Sequence, residues 1–149
     1  MKRIATAIHV AAALGTVLLG FSPGPSYAGA LDEQLDCKST GHGFILPLLQ
    51  SGEIPQKPMR VESNSINAFR PSRGANLTAF DFRVIAVLGF EKSDPIFKPG
   101  SGEPIADSAY GVVVSASSDD VQDRMRQIGS TATVREVTPL MTVILCKSN

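Results

Sequence analysis

Side chains able to do acid–base or binding chemistry crowd into one stretch, "EKSDPIFKPGSGEPIADSAY" (91–110), which carries Lys92, Asp94, Lys98, Ser101, Glu103 and Asp107. Two carboxylates, Glu103 with Asp107 or Asp94, could move protons if the fold brought them within hydrogen-bond reach of a substrate. Elsewhere such residues are sparse. Beyond residue 30 the single histidine is His42, in "TGHGF", so a serine–histidine–acid triad would have to use it. Ser101 stands between glycines but outside the G-x-S-x-G spacing of a nucleophile elbow, and neither G-x-x-x-x-G-K nor G-x-G-x-x-G occurs. A zinc site would need carboxylates and that one imidazole, because Cys37 and Cys146 have each other as partners. No catalytic set, metal or cofactor is expected.

The same stretch reads well as a recognition surface. A connection of about eighteen residues is longer than most, and long structured loops tend to be functional. Pro95, Pro99 and Pro104 restrict its backbone, while Ile96, Phe97 and Ile105 offer apolar groups to pin it to the body. A pinned backbone that presents polar groups binds a partner at low ordering cost. The binding residues expected on this basis are Lys92, Asp94, Phe97, Lys98, Ser101, Glu103 and Asp107. A packed Ω-type connection with no partner accounts for the composition equally well.

The chain's start bears on compartment. Lys2 and Arg3, an apolar run over residues 4–19 and the helix-breaking "FSPGPSYAGA" follow the order of a secretory signal peptide. Residues 1–28 are therefore expected to be a signal, cleaved after Ala28 or Ala30, and residues 31–149 a single exported domain in the periplasm or the medium. The apolar run is shorter than the roughly 20 residues of a membrane span, so no span is expected. In an oxidising compartment an isolated cysteine pair, Cys37 and Cys146, forms one disulfide tying the two ends of the domain together. Lys2 and Arg3 are two of the 14 basic residues, while all 14 acidic ones lie beyond residue 30; the exported part thus carries a slight acidic excess. That balance argues against a nucleic-acid partner.

The elements that must position these residues follow from pattern. "GFILPLLQ" suggests a helical turn or irregular packed segment, because Pro47 disfavours helix before it. Residues 59–69 alternate as a strand with an irregularity near Asn64, and "PSRGAN" is a turn. "LTAFDFRVIAVLGFE" is the strongest strand; from Val84 to Leu88 both faces are apolar, which suggests cover on both sides. "AYGVVVSAS" is a third strand. In "SSDDVQDRMRQIG" a serine cap, Asp119 and Asp120 in the first turn and Gly129 at the end delimit a helix over about 118–128, with Val121, Met125 and Ile128 on one stripe. "TATVREVTPLMTVILC" gives one long strand or two short ones divided at Pro139. The expected fold is α+β: a mixed four- to five-stranded sheet with the 118–128 helix packed on one face.

With these pieces, the expected function is binding rather than catalysis: an inhibitor, immunity or accessory factor that engages another envelope or secreted protein through the 91–108 loop. The alternative is a small-molecule or cell-envelope glycan-binding domain with its pocket between the sheet and "GFILPLL". An enzyme ranks third, with His42, Glu103 and Asp107 the residues to mutate first.

Overall fold

The computed structural model describes residues 29–149; the signal peptide expected over residues 1–28 lies outside the described residues. A 3₁₀ turn at Glu33–Leu35 leads into α1 (Gly41–Gln50), followed by β1 (Arg60–Val61), β2 (Asn67–Phe69), β3 (Thr78–Ala79), β4 (Phe82–Glu91), β5 (Ser108–Val114), α2 (Ser118–Ile128), β6 (Thr133–Thr138) and β7 (Met141–Ser148). The α+β class, the single small domain and the 118–128 helix are as the sequence indicates.

The sheet differs from the expected mixed four- or five-stranded one. It has seven strands in the order β1-β2-β4-β5-β7-β6, with β3 paired to β4 off that path, and every strand ladder is antiparallel. The extra strands come from turns inside runs that alternate well enough to pass for single strands. Ser65 takes a left-handed backbone (φ 71°) and folds residues 60–69 into the β1–β2 hairpin. Phe80 and Asp81 are both left-handed (φ 51° and 72°), the geometry of a tight two-residue hairpin turn, and split β3 from β4. Phe80 tolerates that conformation because its ring is buried and its N–H donates to Asp32 Oδ1 at 2.9 Å. Pro139 and Leu140 turn β6 back into β7, which slots between β5 and β6. β5 and β6 therefore run in the same direction without pairing.

α1 replaces the irregular segment expected at "GFILPLLQ". Thr40 caps it, its side chain accepting from Gly43 N, and Phe44, Ile45, Leu48 and Leu49 form a buried stripe at i, i+1, i+4, i+5. Tertiary burial of that stripe outweighs the hydrogen bond lost at Pro47. α1 packs on β4 and β5 and α2 on β6 and β7. Both lie on the same face of the sheet: Ile45 sits against Gly89, whose ladder partner is Tyr110, and Ser118 Oγ donates to Glu136, whose ladder partner is Thr142. Between helices and sheet lies a core that includes Leu35, Phe69, Val87, Val112, Val121 and Ile144. Ser117 caps α2 and Gly129 ends it in a left-handed turn, while Ile128 is exposed rather than part of the buried stripe. The Cys37–Cys146 disulfide joins the lead-in segment to β7, which is consistent with an oxidising compartment. Among the described residues no helix is long and apolar enough to cross a membrane.

Candidate functional site: an open trough on the sheet

Because both helices take one face, the other has no covering element among the described residues. Sequence reasoning placed cover on both sides of residues 84–88; the structure covers one. The open face is not flat. Met59, Arg60 and Glu62 at one end of the strand order and Thr133, Arg135 and Val137 at the other line the same space, of about 460 Å³. For both outer strands to reach one cavity the sheet must curl into a trough, with β4, β5 and β7 as floor and the β1 and β6 margins as walls. The floor is apolar, built from Ala86, Leu88, Val113, Val143 and Leu145. It is also recessed: Ala68 and Ala86 are each 6% exposed and Leu88 8%, although among the described residues no layer lies over them. On the walls Met59 (50% exposed) and Val137 (53%) present apolar side chains to solvent. A space of this size and lining is in the range of ligand pockets, and curled sheets are a common place for them.

A bulge helps to shape it. The β4–β5 register shifts between Val84 and Ala86, and the extra residue, Ile85, lines the trough beside Ala86. Bulges re-aim side chains and increase local twist. The sequence did contain a sign of the trough: β7 alternates Thr142, Ile144 and Cys146, all buried, with Met141, Val143 and Leu145, which are only partly so. Two apolar faces on one strand imply two apolar environments, and here only one of them is the core.

The 91–108 connection forms one margin of the trough through Ile105. Its backbone is fastened to the β1–β2 hairpin: Gly100 N donates to Ser65 Oγ (2.9 Å), Gly102 N to Ser63 O (2.8 Å) and Ile105 N to Asn64 O (3.0 Å). A side chain at Gly100 would collide with the Glu62 carbonyl, so only glycine permits this approach. The seven residues singled out there do different things. Phe97 is buried, its ring centroid 6.3 Å from that of Phe90. Asp94 turns inward, accepting Ile96 N–H on Oδ1 and facing His42 Nδ1 at 2.5 Å with Oδ2. Lys92 and Asp107 pair at 3.3 Å across the mouth of the loop, an exposed contact of small energetic value. Lys98, Ser101 and Glu103 are exposed. Lys92, Glu103 and Asp107 share one shallow depression with Ile105 and Ala106.

His42 lies at the start of α1, where its N–H donates to Glu91 Oε2 at 2.7 Å. The His42–Asp94 pair has the orientation of a base and its positioning acid, but among the described residues no hydroxyl or thiol hydrogen-bonds the imidazole. Nor do the described residues hold three or more His, Cys, Asp or Glu side chains grouped to take a metal ion. The space expected between the sheet and "GFILPLL" is filled by Phe44, Ile45, Leu48 and Leu49. Beside them Tyr110 is buried against Phe44, and burial raises its phenol above its ordinary pKa. The Ser39 N–H that it accepts (3.0 Å) opposes that shift, and the negative charge of Asp36 adds to it.

No family model, curated protein or solved structure matches this chain.

Proposed function

We propose that this chain is an exported binding protein whose ligand or partner seats in the open trough of the sheet. The observation that carries the reading is the apolar, recessed floor that no element among the described residues covers, walled by exposed Met59 and Val137. Apolar surface left open in this way is characteristic of interaction sites. Export rests on the leader-like order of residues 1–28 together with the disulfide.

The test is binding of a neutral apolar fluorophore, N-phenyl-1-naphthylamine, to the wild-type chain and to Leu145→Glu, which places a carboxylate on the trough floor at a partly exposed position. Saturable binding by wild type, lost in the variant at an unchanged melting temperature, supports the reading. Equal binding by both, or none by either, refutes it.

A second reading retains the 91–108 connection as a surface for another envelope or secreted protein. It is favoured by a fastened backbone that leaves Lys98, Ser101 and Glu103 in solvent. Replacing Lys98, Ser101 and Glu103 together by alanine separates the two, because all three are exposed and none lines the trough: it removes partner capture under the second reading and leaves fluorophore binding under the first.

A further inference from the structure

The trough continues into a second space, and the two differ in character. Beside Met59 and Ile85, which line both, opens a cleft of about 700 Å³ bordered by Arg70, Arg73 and Arg83 together with the turn residues Ser72, Gly74 and Asn76. An apolar channel thus runs into a basic one. The charge around the two spaces is strongly one-sided. Arg60, Arg70, Arg73, Arg83, Arg135 and Lys147 line them, whereas of the chain's 14 acidic residues only Glu62 does so, and its carboxylate is engaged by Arg60 Nε at 2.6 Å. Among the described residues Arg70, Arg73, Arg83, Arg135 and Lys147 make no ion pair, although most of the other basic side chains, on α2 and in the loops, do. This concentration runs against the slight acidic excess of the described chain as a whole.

On these grounds, and resting on the trough as the binding site, we infer that the occupant is a single-chain amphiphile with an anionic head group, of which a long-chain carboxylate is the simplest form. The head lies in the Arg70–Arg73–Arg83 cleft and the chain passes Met59 and Ile85 onto the floor formed by Ala86, Leu88 and Val113. Guanidinium groups pair with a carboxylate bidentately. Arg135 on the opposite wall and Lys147 near the end of β7 add to the positive potential over the mouth and favour approach of an anion. A thin chain suits the floor better than a flat protein surface does, because Ala68, Ala86 and Leu88 expose only 6%, 6% and 8% of their surface between the more exposed walls. Each further buried methylene adds about 0.8 kcal/mol, close to a fourfold gain in affinity.

The experiment is calorimetric titration of the exported chain, recovered after expression of the full sequence, with monomeric saturated carboxylates of increasing length up to hexadecanoate, and with hexadecanol as the neutral match. Affinity is expected to rise about fourfold per methylene until the trough is full and then level off. Hexadecanoate should bind more tightly than hexadecanol, and Arg70→Gln and Arg83→Gln should each weaken hexadecanoate roughly tenfold while leaving hexadecanol unchanged. Both arginines are exposed, so these variants should fold as wild type does. Hexadecanol binding as tightly as hexadecanoate, with no effect of the arginine variants, overturns the anionic head group and leaves the trough as a site for neutral apolar ligands. Failure of both ligands to bind overturns the trough reading with it. Binding confined to phosphatidylglycerol vesicles, with none to the monomeric acid, also overturns the inference, in favour of a membrane surface.

Discussion

The side chain of Asn67 grips the backbone of Lys98 from both sides: Oδ1 accepts Lys98 N–H at 3.0 Å and Nδ2 donates to Lys98 O at 2.8 Å. Asn67 is fully buried, so one amide side chain on β2 does for the long connection what a strand partner would do. Asn67→Leu is expected to leave both Lys98 groups unpaired, at a cost of about 2–3 kcal/mol in stability. Cleavage of the Phe97–Lys98 bond under native conditions should become fast. Chemical unfolding read beside limited proteolysis with chymotrypsin checks this, and a resistant loop in the variant would contradict it.

Burial of Tyr110 makes an alkaline limit to stability. The folded state holds the phenolic proton more tightly than the unfolded chain does, so the associated stabilisation is complete below the unfolded tyrosine pKa, about 10. It is lost as pH rises from there through the higher folded value. Unfolding free energy measured in steps from pH 8 to 11 should fall at the upper end for wild type. Tyr110→Phe should show a shallower decline, at the cost of leaving Ser39 N–H without its acceptor.

The disulfide closes a loop of 109 residues in sequence separation. Replacing both Cys37 and Cys146 by serine, or reducing the bond, should lower stability by about 2–5 kcal/mol. Denaturant titration with and without reductant measures the difference, and coincident transitions would mean that the bond adds nothing to an already complete core.

Gly89 lets α1 sit close on the sheet. A methyl group there would meet Ile45 Cγ1, so Gly89→Ala should destabilise by about 1–3 kcal/mol through overpacking. In combination with Ile45→Ala the two costs should be clearly less than additive, since each change makes room for the other. Additive losses in the double mutant would show that the helix does not rest on this contact.

Local chemistry made parts of this fold legible in the sequence. Ser117, the acidic first turn and Gly129 define α2 by themselves, and two cysteines with no competing thiol left one pairing. Turns built from residues that do not advertise them were harder. Nothing in the letters Phe80-Asp81 says "hairpin", because the left-handed backbone there is imposed by the burial of the ring and the Asp32 contact, both non-local. α1 was hidden by Pro47 for the opposite reason, a local penalty overridden by packing. The polar side chains of residues 91–108 are conspicuous in the sequence, yet the loop is held through its backbone groups at Lys98, Gly100, Gly102 and Ile105, whose partners on the β1–β2 hairpin, Asn67 and Ser65 among them, are distant in sequence. The trough depends on curvature, a property of the whole sheet, and so no single stretch encodes it.

The strand order sets a schedule for the molecule. β7 follows β6 along the chain, yet it lies between β5 and β6 in the sheet, and among the described residues β6 has no neighbour but β7. Until residues 141–148 have been synthesised, β5 and β6 expose unsatisfied edges and Cys37 lacks the thiol it needs. A chain that lacks this segment can form α1, the β1–β2 and β3–β4 hairpins and α2, but it cannot join β6 to the rest of the sheet. One strand insertion therefore completes the sheet, walls the trough and brings the two sulfurs together.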